Sequence, residues 1–321
     1  MITTFNFANI DEELEHFRDA RDMRTFARKH GCDGIELQIF QDIEDTYLED
    51  DMIQGIHLSF YNCWMDFWLE NEKGLQNEFG NMQAAFQYYD GTNKAALIEK
   101  YRNELDRAQR HHAKYVVFHV SEITIDQSFH RQFDYPDEKV IDEACQIINL
   151  LLDGQGYTFD FLMENLWWPG LNFQDAAITK RLLDGVSYQH KGLMLDTGHL
   201  MNANPDLRTQ AEAVTYIHKI LDKHEEVIPW IKGIHLNASL SGEYVQRKLL
   251  LPYDPTEDYQ EKCSRTFAHV FQIDQHRPFT DAGRQTIIKR INPKYITHEL
   301  ITRSRDELSE YMQLQKIDNY D

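Results

Sequence analysis

The chain has 321 residues, 33 Lys and Arg against 53 Asp and Glu for a formal charge of −20, and 42% hydrophobic and 12% aromatic residues. These fractions sit near globular averages and exclude a disordered tail or a fibre, while the negative charge disfavours broad attraction to nucleic acid or an acidic bilayer. No apolar run reaches the ~18 residues of a membrane span, the N-terminus lacks a basic stretch followed by an apolar core, and Cys32, Cys63, Cys145 and Cys263 are scattered without a CxxC pair, so cytoplasmic residence and buried free thiols are expected.

Short apolar runs alternate with longer amphipathic stretches. Ile2 to Phe7 predicts a strand, and Asp11 to Lys29 a helix with acidic residues in its first turn, basic ones in its last and Gly31 as its stop. Gly34 to Gln38 is the second strand and Ile53 to Ser59 the third. A helix over about Lys94 to His112 precedes the strand Tyr115 to Val120, and the helix Asp137 to Leu152 precedes the strand Tyr157 to Glu164. Asp175 to Asp184 leads to the strand Gly192 to Asp196, and the helix Asp206 to His224 to the strand Ile231 to Leu236. The helix Asp281 to Arg290, the strand Tyr295 to Leu300 and a closing helix Arg305 to Gln315 complete the order.

Eight strands joined by helical crossovers predict an α/β fold, a (β/α)8 TIM barrel that uses residues 1–321 as one domain. Two connections are long for a compact domain: 60–92 after the third strand and 238–280 after the seventh. The first carries Tyr61, Trp64, Phe67, Trp68, Phe79, Phe86, Tyr88 and Tyr89. It reads equally as an aromatic lid over a site, or as an insertion with its own small core or a homo-oligomer contact.

The strand ends carry the chemistry. His57 ends the third strand, His119 the fourth, Glu164 the fifth, Asp196 the sixth, His235 the seventh and Glu299 the eighth, with His199, Asp274 and His276 close behind. In a barrel these ends converge on one mouth. A lone His in an apolar strand is commonly a satisfied core residue, but an ionised carboxylate inside an apolar run costs several kcal/mol unless a cation or donors compensate. Glu164, Asp196 and Glu299 all have that setting, so a divalent cation (Zn, Mn, Mg or Co), one to three ions, is expected.

Asp196-Thr-Gly-His199, Gly233-Ile-His235-Leu-Asn, Glu164-Asn165 and the late Glu299 resemble the xylose isomerase-like TIM-barrel superfamily, which holds sugar and sugar-phosphate isomerases and epimerases together with endonuclease IV. The similarity runs from Gly34 to about Leu300. From the epimerases it implies one cation on Glu164, Asp196, His235 and Glu299, with Glu164 and Glu299 as the catalytic groups that move protons at a metal-bound enediolate. In that reading the substrate is a small carbohydrate, bound by Glu36 and His199 and stacked on Trp64, Trp167 or Trp168. From endonuclease IV, a multi-zinc phosphodiesterase, it implies three cations: His57, His119 and Glu164; Glu164, Asp196, His235 and Glu299; and His199, Asp274 and His276. A hydroxide generated on the cations would then be the nucleophile. The isomerase or epimerase reading leads and the hydrolase follows. Departures are Ala238 where an acid usually follows H-L-N, a longer span from His235 to Asp274, no I-G-x-G after His276, and Glu36, which the sugar isomerases carry and endonuclease IV does not. Asp274-Gln-His276 therefore reads either as a ligand pair or as a coincidental surface pair.

Overall fold

A computed structural model describes residues 1–249 and 259–317. Eight strands, β1 (Ile2–Ala8), β2 (Gly34–Gln38), β3 (Ile53–His57), β4 (Tyr115–His119), β5 (Asp160–Glu164), β6 (Lys191–Asp196), β7 (Ile231–Leu236) and β8 (Tyr295–His298), pair in parallel in sequence order. β1 also pairs with β8, so the sheet closes into a barrel with helices between the strands.

Closure leaves two hydrophobic layers. Inside the barrel Tyr115, Val117, Leu162, Met194 and Tyr295 fill the bore. Outside it, strand residues such as Phe5, Ile35, Val116, Phe161, Leu195 and Ile296 pack against the helices in one large core. At the N-terminal end of the bore, Asp160 takes Lys232 at 2.8 Å, Lys294 at 2.7 Å and the Tyr295 hydroxyl at 2.8 Å, an arrangement that seals the end opposite the mouth.

The predicted helix Asp11 to Lys29 is two helices, Asp11–Leu14 and Ala20–Lys29. The break follows from Asp19, which is extended and accepts from the Asp22 backbone N–H as the cap of the second helix. The connection 60–92 is folded into helices Trp64–Trp68, Glu72–Phe79 and Met82–Tyr89. Their aromatic residues pack inward: the Phe67 and Tyr89 rings stack at 3.9 Å, and Trp64, Trp68 and Phe79 are buried. These buried aromatics belong to the large core outside the barrel, while Phe60, Asn62 and Tyr88 of the same connection line the cavity described below. In the connection 238–280, helices Gly242–Lys248 and Tyr259–Ile273 flank residues 250–258, which lie outside the described residues. All four cysteines are free. Among the described residues no helix is long and apolar enough to cross a membrane.

Candidate metal centre

Side chains alternate along a strand, so a residue two positions beyond a bore residue faces the same axis one layer higher. His119 follows Val117 by two, Glu164 follows Leu162, and Asp196 follows Met194, where Val117, Leu162 and Met194 fill the bore. The register sets the neighbours: His119 lies opposite Glu164, and Asp196 opposite His235. Glu299 follows β8, its N–H bonded to the Leu236 carbonyl at 3.3 Å.

Glu164 is the hub, with no exposed surface. Its Oε2 lies 3.1 Å from His57 Nε2 and 3.0 Å from His119 Nε2. Its Oε1 lies 3.0 Å from His235 Nδ1 and 3.3 Å from His199 Nδ1. Glu299 Oε2 stands 3.2 Å from the same His235 nitrogen. His199 Nε2 turns the other way, to Asp274 Oδ2 at 3.3 Å, where His276 Nε2 also arrives at 2.7 Å. Three groups result whose ligand atoms lie within 4.8 Å of one another: His57, Glu164, His235 and Glu299; His119, Glu164 and His199; and His199, Asp274 and His276. Asp196 stands beside them, 4.0 Å from His235 Nδ1 and 3.7 Å from His199 Nδ1.

Asp274 and His276 are not a loose surface pair. The Ser239 hydroxyl accepts from the N–H groups of Gln275 at 3.0 Å and His276 at 3.2 Å, and the backbones of Ala238 and Arg277 bond reciprocally at 2.7 and 3.0 Å. Ala238 thus serves the site through its main chain, at a position where the resemblance implies a side-chain acid. His276 is held at φ 44, a positive φ uncommon for a residue other than glycine, and these bonds fix it there.

Opposed charges set the protonation. Burial alone would raise Glu164 and Glu299, but the imidazoles of His235 and, respectively, His119 and His276 outweigh it and hold both carboxyls well below the usual range. Asp196 goes the other way: burial, with repulsion from Glu299 and Glu164, raises it well above the usual value against the pull of His199. His276 is raised to about 9, because Asp274 and Glu299 more than offset its burial. His119 is lowered, since burial dominates there.

The donor set suits a divalent cation. A tetrahedral ion with bonds of ~2.0–2.1 Å spaces its ligand atoms by roughly 3.3 Å, close to the separations around Glu164. Nδ1 of half-buried His119 and Nδ1 of His276 make no hydrogen bond, so each ring has one nitrogen without a protein partner beside the one that faces a carboxylate.

Two other sequence candidates fall elsewhere. Glu36 lies behind the centre rather than at its mouth: its carboxylate accepts from Thr297 Oγ1 at 2.8 Å and meets His235 Nε2 at 3.1 Å, fixing the tautomer that turns Nδ1 toward Glu164. Trp64 donates its Nε1–H to the Ser121 carbonyl at 2.7 Å inside the insertion and does not line the cavity over the centre. Trp167, Trp168 and His199 do line that cavity. Residues not singled out from sequence also shape the site. Asn237 Nδ2 donates to Asp196 at 2.7 Å and Glu299 at 3.3 Å. Asn165 accepts from the Asp196 N–H through its side chain at 2.9 Å, and its carbonyl meets His199 Nδ1 at 2.8 Å. Both stand in the M-E-N and H-L-N runs, where an amide next to a ligand is the signal. Gly198, between them, has no room for a Cβ against Asn237 Oδ1.

Among solved structures, a probable 3-DHS dehydratase from Bacillus anthracis is 16% identical, covers 98% of this chain and 100% of its own, and superposes with a TM-score of 0.53. The zinc-bound IOLI protein is 13% identical over 98% and 95%, with a TM-score of 0.52. Endonuclease IV from Thermus thermophilus is 14% identical over 98% and 97%, with a TM-score of 0.51. At these identities the likeness is one of fold. No curated protein matches the sequence. The profile described as xylose isomerase-like TIM barrel matches residues 25–303, most of the chain, and the protein belongs to that family.

Proposed function

We propose that the chain is a divalent-cation-dependent hydrolase acting on a small molecule, with two or three cations held at the barrel mouth. The observation that carries this reading is the division of Glu164: one carboxylate oxygen faces His57 and His119, the other His235 and His199. A carboxylate so placed would bridge two cation positions, and Asp274 with His276 would complete a third through His199. Bound cations would supply Lewis acidity and a coordinated water of lowered pKa. Glu164 would hold the positions apart, Glu36 would keep the His235 tautomer, and Asp196 with Asn237 would position Glu299. The zinc atom named for the IOLI protein is in keeping with a cation at this mouth.

Isomerisation or epimerisation of a sugar or sugar phosphate is the second reading. It is favoured by the group His57, Glu164, His235 and Glu299, which alone supplies four ligands for one cation. Against it, neither Glu164 nor Glu299 lines the cavity, where proton-transfer groups would have to meet the substrate.

Cation stoichiometry by plasma mass spectrometry on the purified, zinc-loaded protein separates the two: two or three ions per chain are expected, and one would return the reading to the epimerase. Isotope labels separate them again. A hydrolase places oxygen-18 from labelled water in product, whereas an isomerase carries solvent deuterium onto carbon.

A further inference from the structure

A cavity of about 320 Å³ opens directly on the centre, with His119, His199 and Asp274 forming its floor. Its volume lies at the small end of ligand sites, which run from about 300 to 1,000 Å³, so it suits a single small molecule. Phe60, Trp167 and Trp168 form its aromatic wall, and Ile123, Leu166 and Val270 an aliphatic one. The rings adjoin the candidate ligands: Phe60 meets His119 edge to face at 4.8 Å, and Trp167 lies 5.3 Å from His199.

The amide and hydroxyl groups of this wall are engaged by the protein. Asn62 donates to the Ile123 carbonyl at 3.1 Å and accepts from the Tyr88 hydroxyl at 3.1 Å. Ser128 donates to the Ile125 carbonyl at 2.6 Å and Thr266 to the Lys262 carbonyl at 2.7 Å. Thr124 accepts from the Gln127 N–H at 3.4 Å. A sugar entering here would leave its water partners for few replacements, and each unpaired hydroxyl would oppose binding. No Lys or Arg is among the described lining residues, which therefore offer no countercharge to a phosphate held away from the cations.

We propose that the substrate is bipolar: one oxygen-bearing end binds at the cations, and an uncharged aromatic body fills the cavity against Phe60, Trp167 and Trp168. This rests on the metal-centre reading above for the first end only. Aromatic faces and edges recognise a flat ring at little entropic cost, because the walls are part of the fold. The substrate class is therefore a small arene carrying an ester group, which water cleaves to an acid and an alcohol, and is neither a free sugar nor a nucleic acid strand.

The test uses the full, zinc-loaded protein and three probes that carry a similar oxyanion on different bodies: phenylphosphonate, methylphosphonate and ribose 5-phosphate. Calorimetric titration is expected to give phenylphosphonate a Kd at least tenfold below the other two. Phe267→Ala, at an exposed residue of the cavity mouth, is expected to cut that preference threefold or more with zinc content unchanged. Phenol is titrated separately into zinc-free protein, followed by Trp fluorescence, and is expected to bind. If zinc loads and the phenyl group brings no advantage, or the sugar binds more tightly, the cavity assignment is overturned and the centre stands. If zinc fails to load but phenol binds and Phe267→Ala weakens it, the centre is wrong and the cavity assignment survives.

Discussion

Glu164 faces an imidazole pair on each oxygen, so replacing it separates a hub from an ordinary ligand. Glu164→Gln keeps the volume and one acceptor but loses the charge shared by His57, His119, His199 and His235. The expected result is loss of at least one bound cation per chain and of turnover, whereas Asp274→Asn should remove only the ion shared with His199 and His276. Equal cation content in Glu164→Gln and wild type would show that Glu164 bridges nothing. Glu36 calls for a different readout. As the partner of His235 Nε2 it acts through the ligand, and Glu36→Gln should weaken zinc by roughly ten- to a hundredfold in competition with a chromophoric chelator. A residue that only bound substrate would instead raise KM and leave zinc affinity alone. The candidate ligands were legible, because carboxylates and imidazoles stand at the ends of apolar runs with period-two spacing from bore residues. The role of Glu36 was not: its partner lies 199 residues away, and only barrel closure brings β2 and β7 within reach of each other across the bore.

Elements show the same division between local and distant causes. The helices Asp137–Leu152 and Ala176–Gly185 and the strands Gly34–Gln38 and Ile231–Leu236 follow from hydrophobic period and breakers. The break between Asp11–Leu14 and Ala20–Lys29 has a local cause in the Asp19 cap, but the second helix is held in place by a residue 283 positions beyond Asp22. Arg305, at the start of the last helix, grips Asp22 with both nitrogens at 2.8 and 3.0 Å and covers the rings of Phe17 and Phe26 at 5.0 and 5.4 Å. The clasp ties the first and last crossovers together where β1 meets β8. Hydrogen bonds from Arg305 and then Arg18 hold the Asp22 carboxyl well below the usual range. A lowered native pKa means the unfolded chain binds the proton more readily. The stabilisation is therefore complete above the ordinary carboxylate pKa of about 3.9 and is lost as pH falls from there toward the native value. Asp22→Asn should cost about 1–3 kcal/mol at neutral pH, read from denaturant midpoints, and its deficit should shrink progressively below pH 4. A deficit that stayed constant down to pH 2 would mean that packing, not the charge pair, sets the cost.

At the scale of the whole molecule, the charge of −20 is unevenly placed. Glu164, Asp196 and Glu299 are buried at one mouth, with Asp274 beside them and Glu36 behind them, so the barrel concentrates repulsion where its strands converge. The imidazoles relieve part of it in the absence of cations, at the cost of charging residues that are themselves buried. Cations would relieve it more completely, because they neutralise the carboxylates without protonating the rings. Loading should therefore stabilise the native state and not the unfolded one: at free zinc a hundredfold above Kd the gain is about 2.7 kcal/mol, roughly 4 °C in Tm for a chain of this size. Chelation followed by calorimetry is expected to reverse that gain, and added monovalent salt should then stabilise the stripped protein more than the loaded one, since screening substitutes poorly for a bound ion. An unchanged Tm on chelation, with the same salt response in both forms, would mean that the imidazoles alone balance these carboxylates and that the mouth is a hydrogen-bonded layer without a cation.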